Sequence, residues 1–122
     1  VFTTAPPPAA IAAALKALDL IEQQPDLCER PLELARRFCA AARLPDPASP
    51  IVPVILGDET RALEASERLR QAGLLVAAIR PPTVPKGTAR LRVTFSAAHS
   101  ETDVDRLAKA VQDIRLQCEA AQ

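Results

Sequence analysis

Two arginines separated by one residue, Arg90 and Arg92, stand in a short stretch whose alternate positions are Leu91, Val93 and Phe95. Side chains two residues apart on a strand share a face, so both guanidinium groups turn away from the apolar side. A planar guanidinium matches a carboxylate with two parallel hydrogen bonds, which the point charge of a lysine does less well. By alternation alone, Arg92 is an ordinary arginine on a solvated strand face. Arg90 reads as a surface or ion-paired residue. Amine chemistry has three candidates, Lys16, Lys86 and Lys109. Two fall in helical stretches and Lys86 falls among prolines. His99 is the sole histidine and precedes a serine that caps a helix, which favours a structural hydrogen bond over proton transfer. Cys28, Cys39 and Cys118 show no Cys-x-x-Cys spacing, and with one histidine they give no metal site. Cys39 and Cys118 are expected in the core and Cys28, among charged residues, at the surface.

The elements that must position these residues follow from periodicity and punctuation. Thr3 to Pro8 reads as an extended, proline-stiffened lead-in, with Pro8 suited to a first helical turn. Ile11, Leu15, Leu18 and Ile21 predict a helix from Ala9 to about Gln24, closed by Pro25. A second helix is predicted from Asp26 to about Ala42, with Leu27, Leu34, Phe38 and Ala42 on its inner side. Three prolines make residues 44–50 a loop, and Ile51 to Leu56 a strand that Pro53 confines to an edge or a bulge. A helix starts at Gly57-Asp58, carries Ala62, Ala65, Leu69 and Ala72 inward, and ends at Gly73. The uninterrupted apolar run Leu74 to Ile79 predicts a strand buried on both faces. Residues 80–87 hold three prolines and cannot be regular. After the arginine strand, Ser100-x-x-Asp103 resembles a capping box and opens a helix with Val104, Leu107, Ala108, Val111, Ile114 and Cys118 inward. The order α-α-β-α-β-β-α belongs to the α/β class, a small, mostly antiparallel sheet covered by helices.

Composition narrows the function. Lysine plus arginine equals aspartate plus glutamate at 15 each, and aromatic residues are 2%, so the chain shows no electrostatic or stacking footprint for nucleic acid. The longest apolar run is strand-sized, so no membrane partner is expected. An odd cysteine count suits a reducing, cytoplasmic compartment. Apolar residues at 48% allow one core within 122 residues. The chain has no methionine, which suits an internal starting point in a longer protein.

Residues 78–99 read Ala-Ile-Arg-Pro-Pro-Thr-Val-Pro-Lys-Gly-Thr-Ala-Arg-Leu-Arg-Val-Thr-Phe-Ser-Ala-Ala-His. This resembles the signature of the α-oxoamine synthases, in which a Pro-Thr-Val-Pro loop leads through a glycine into an Arg-Leu-Arg strand. Phe2-Thr-Thr-Ala-Pro-Pro7 and Pro53-Val-Ile-Leu-Gly-Asp58 are similar to two further landmarks of that family in the same order. The resemblance covers nearly the whole chain. It implies the small C-terminal domain of a fold-type-I pyridoxal-phosphate enzyme, with residues 1–24 as lead-in and interdomain helix and residues 25–122 as the small domain.

The same resemblance implies the chemistry. Its closest wording is that of the branch that condenses L-alanine with a pimeloyl thioester, on coenzyme A or a carrier protein, with loss of CO₂ in biotin synthesis. It makes Arg92 the holder of the amino-acid carboxylate and places Thr83 at the acyl-substrate site, although a turn between two prolines accounts for that threonine equally well. Thr3 and Thr4 would reach the cofactor phosphate of the neighbouring subunit in a homodimer; by themselves they are polar residues ahead of a helix. Ala5 stands where many relatives have serine, so one possible hydroxyl contact is missing. The family's catalytic lysine lies upstream, so this chain alone is expected to hold no catalytic residue, to bind pyridoxal phosphate weakly and to be inactive. The alternatives are a stand-alone small-ligand or regulatory domain and another branch of the family, of the 5-aminolevulinate or 2-amino-3-ketobutyrate type.

Overall fold

The structure is a computed structural model that describes residues 5–120, with side chains as far as Cys118. The elements are α1 (Pro8–Gln23), α2 (Asp26–Ala41), β1 (Ile51–Gly57), α3 (Glu59–Gln71), β2 (Ala77–Ile79), β3 (Ala89–Thr94) and α4 (Glu101–Ala120). This is the expected order. The last strand in the chain is the central one: the sheet runs β1-β3-β2, with both pairs antiparallel. Pro53 has no N–H to give to a ladder, and it lies on the edge strand β1, directly opposite Arg92. The register shifts between Ile55 and Gly57, where Gly57 adopts a φ of 81°.

The helices cover one face of the sheet. Val52, Val54, Leu91 and Val93 point into a core shared with Leu34, Phe38, Leu69 and Val111. Phe38 and Phe95 meet there with ring centroids 5.3 Å apart. The alternate positions, Ile51, Pro53, Ile55, Arg92 and Thr94, are exposed. The expected strand buried on both faces is corrected by this arrangement. β2 has only three residues, on an edge, and Leu75 ahead of it is 91% exposed. A sheet covered on one side buries alternate residues only, so much of that apolar run belongs to the turn after α3. Leu27 is likewise 40% exposed, because the buried side of α2 begins only at Pro31.

Local hydrogen bonds fix the helix ends. Asp58 Oδ1 accepts from the Arg61 N–H at 3.0 Å, and Gly73 takes the left-handed conformation (φ 78°) that ends α3. Ser100 Oγ accepts from the Asp103 N–H at 3.1 Å. The return arm differs from a capping box. Asp103 Oδ2 accepts from the Ser100 hydroxyl at 2.7 Å, since aspartate is one methylene shorter than the glutamate that reaches back to a backbone N–H. Arg37 ties α2 to α4 by forking onto both Asp105 oxygens at 2.8 Å and touching Glu101 at 2.6 Å. α1 has no buried residue. Its stripe of Ile11, Leu15, Leu18 and Ile21 is between 44% and 58% exposed.

Candidate functional site on the open sheet face

The uncovered side of the sheet is built of three cross-strand rows. Ile51 pairs with Thr94; Pro53, Arg92 and Ala77 form the middle row; Ile55, Arg90 and Ile79 form the third. Arg92 thus stands at the centre of the face, between two short side chains that neither shield nor pair it. It is exposed, and among the described residues its guanidinium has no hydrogen-bond or ion-pair partner. An arginine on a rigid central strand, with all its donors available and no neighbouring carboxylate in its row, is arranged to take a planar anion from outside.

Arg90, one pleat closer to the proline loop, is spent differently. It is half-buried, and its Nε donates to the Thr88 carbonyl at 2.9 Å, so it buttresses the turn rather than forming an ion pair. Thr83 is exposed in the β2–β3 connection, where its N–H donates to the Arg80 carbonyl at 3.1 Å. The threonine therefore does shape a turn, and its hydroxyl has no hydrogen-bond partner among the described residues. The structure brings Arg90 and Thr83 to the loop end of the sheet and sets Arg92 one pleat further in. Thr3 and Thr4 lie outside the described residues.

His99 is structural here. Its Nδ1 accepts from the Ser96 N–H at 3.1 Å and its ring meets Phe95 edge-on at 6.3 Å. Cys39 is buried, and burial, with Asp46 adding to it, pushes its thiol up. Cys28 is exposed and Cys118 is half-buried against the core. Lys16, Lys86 and Lys109 are exposed on three different segments, α1, the proline loop and α4. A cleft of about 320 Å³ lies at the far end of the sheet, between Leu74, Phe95, His99 and Leu107. It contains neither Arg92 nor Thr83. Sequence reasoning missed it, because it arises where the turn after α3 meets the start of α4 and no local pattern marks such a junction. Among the described residues the three lysines all lie outside the cross-strand row of Arg92.

The sequence profile of the aminotransferase class I and II family matches residues 1–111. The chain belongs to that family. Over all 122 residues it is 64% identical to an 8-amino-7-oxononanoate synthase of Maricaulis maris (strain MCS10), covering 31% of that protein. Among solved structures it is similar to the serine palmitoyltransferase of Sphingomonas wittichii, with a TM-score of 0.84 and 27% identity over 98% of this chain and 32% of the other. A second serine palmitoyltransferase structure, containing pyridoxal phosphate, gives a TM-score of 0.85 at 25% identity over 98% of this chain and 32% of that one. The chain thus spans about a third of the length of the relatives it matches. The architecture is the α/β one expected for part of a fold-type-I pyridoxal-phosphate enzyme. Among the described residues no helix is long and apolar enough to cross a membrane.

Proposed function

We propose that this chain supplies the small domain of an 8-amino-7-oxononanoate synthase, which joins L-alanine to a pimeloyl thioester with loss of CO₂ in biotin synthesis. The observation that carries the reading is Arg92, unpaired at the centre of an open sheet face. Identity of 64% to a protein of that name supports it. In this reading residues 1–24 lead from the larger domain and residues 25–122 form the small domain. The exposed apolar stripe of α1 agrees with a helix that needs a neighbour.

Arg92 would hold both oxygens of the alanine carboxylate and so fix the rotation of the amino acid. The energy of binding the carboxylate, which is later lost as CO₂, would then be spent on orienting the amino acid. Thr83, held in its turn by the Arg80 carbonyl, would offer its hydroxyl to the acyl substrate. When bound, pyridoxal phosphate supplies the electron sink for such chemistry. Its lysine and most of its cradle would come from the larger domain, and Thr3 and Thr4 would reach its phosphate across a homodimer. The setting is cytoplasmic, and no residue of this chain is assigned a covalent step.

The test is turnover by the whole protein that carries this chain, with L-alanine and a pimeloyl thioester, followed by release of CO₂ and free thiol. Turnover with alanine well above that with glycine is expected. Activity with glycine and a shorter acyl donor alone would move the protein to another branch of the family. No turnover with any pairing would leave a small-ligand or regulatory domain as the better reading.

A further inference from the structure

The loop that carries Thr83 has little to hold it from within. Residues 80–87 include three prolines, which have no N–H to give. Two turns supply its internal bonds: the Thr83 N–H donates to the Arg80 carbonyl at 3.1 Å, and the Thr88 N–H to the Pro85 carbonyl at 3.2 Å. The Thr88 hydroxyl reinforces the second turn, donating to the same Pro85 carbonyl at 2.7 Å. One side chain ties these turns to the sheet. Arg90 Nε donates to the Thr88 carbonyl at 2.9 Å, and among the described residues no other side chain from outside the loop bonds to residues 80–88. Arg90 is half-buried on the central strand, in a row with Ile55 and Ile79 of the two edge strands. A Cβ at Gly57 would stand 3.6 Å from the Gly87 carbonyl oxygen, so the second turn also lies against the end of β1. The path from the rigid strand thus runs through Arg90, Thr88 and Pro85, with Thr83 two residues further back.

We propose that Arg90 is a positioning residue for the acyl substrate: it holds the loop that presents Thr83, and it does so by its Nε–H rather than by its charge. This rests on the functional reading above, which gives the Thr83 hydroxyl to the acyl substrate. The geometry favours the N–H, because the partner of Arg90 is a neutral backbone carbonyl and among the described residues no carboxylate pairs with it. A half-buried carbonyl that loses its donor costs more than the bond contributed, so the turn would shift to find water and carry Thr83 with it. Arg92, one pleat further in, stays with the amino acid.

The experiment compares the whole enzyme with its Arg90→Gln and Arg90→Met variants on pimeloyl-CoA and L-alanine. The glutamine side-chain nitrogen stands as many bonds from Cα as Arg Nε does, so it keeps a donor and loses the charge; methionine has similar length and no donor. Arg90→Met is expected to raise KM for pimeloyl-CoA about 10-fold, with KM for alanine little changed, as an unsatisfied carbonyl beside the loop would. Arg90→Gln is expected to recover KM to within about 2-fold, the scatter of surface changes. Added to Thr83→Val, Arg90→Met is expected to cost less than about 2-fold more, since residues acting through one another are not additive. Equal losses in the two Arg90 variants, no loss in either, or a full 10-fold loss on top of Thr83→Val would overturn the proposal. Amide hydrogen exchange over residues 80–88 reads the brace without turnover, which separates its failure from that of the functional reading. Faster exchange at Thr83 and Thr88 in Arg90→Met than in Arg90→Gln supports the brace, and equal exchange in all three proteins overturns it.

Discussion

Arg92 owes its orientation to local alternation and its isolation to distant strands. Its orientation was legible from alternation alone, because Leu91 and Val93 fix which side of β3 is inward. Its isolation was not, because that depends on Pro53 and Ala77, which are 39 and 15 residues away in sequence and meet it only through strand register. Arg90 shows the opposite limit: the same strand face predicts the same exposure, yet a backbone carbonyl two residues back claims its Nε. Gly73 gives a residue-scale prediction. A Cβ there would meet no atom within 4 Å, so Gly73→Ala costs only the left-handed backbone, φ 78°. That cost is about 1 kcal/mol, seen as a lower urea midpoint with an unchanged m-value. A much larger loss would mean that the loop after α3 packs against something else.

At the scale of elements, the α2–α4 pair is joined by Arg37 with Asp105 and Glu101, all exposed. The Arg37 hydrogen bonds hold the Asp105 carboxyl below its ordinary range; the Ser100 hydroxyl does the same for Asp103, and Arg70 with Gln71 brings Glu67 down to about 2. A depressed carboxylate contributes stability that is complete above its unfolded pKa and is lost as pH falls through its folded one. Thermal stability is therefore expected to fall between about pH 4.5 and about pH 2. Arg37→Gln is expected to flatten part of that slope, and an unchanged profile would show that the fork contributes nothing measurable. The helices were readable because Asp58, Gly73 and Ser100 are local signals whose effect ends within one turn. β2 was misread for a reason periodicity cannot supply: an apolar run looks the same whether both faces of its sheet are covered or one. Leu75, 91% exposed, is the cost of that ambiguity.

At the scale of the molecule, the core is complete on one side of the sheet and open on the other, and α1 adds a second uncovered apolar stripe. Among the described residues nothing covers either surface, and the apolar stripe of α1 calls for a protein contact. Residues 1–122 produced alone are expected to self-associate, and replacing Leu15 and Leu18 with glutamine should shift light scattering toward the monomer mass. A chain that is monomeric without those changes would show that the stripe is harmless in water. The proposed amino-acid site turns on Arg92, and the most direct measurement is kcat/KM for L-alanine in the whole protein, comparing Arg92→Lys with Arg90→Lys. A two-point carboxylate grip lost at Arg92 is expected to lower kcat/KM at least about 100-fold with KM for the pimeloyl thioester little changed, while Arg90→Lys costs far less. Equal, small effects at both positions would contradict the assignment of the open face as the amino-acid site.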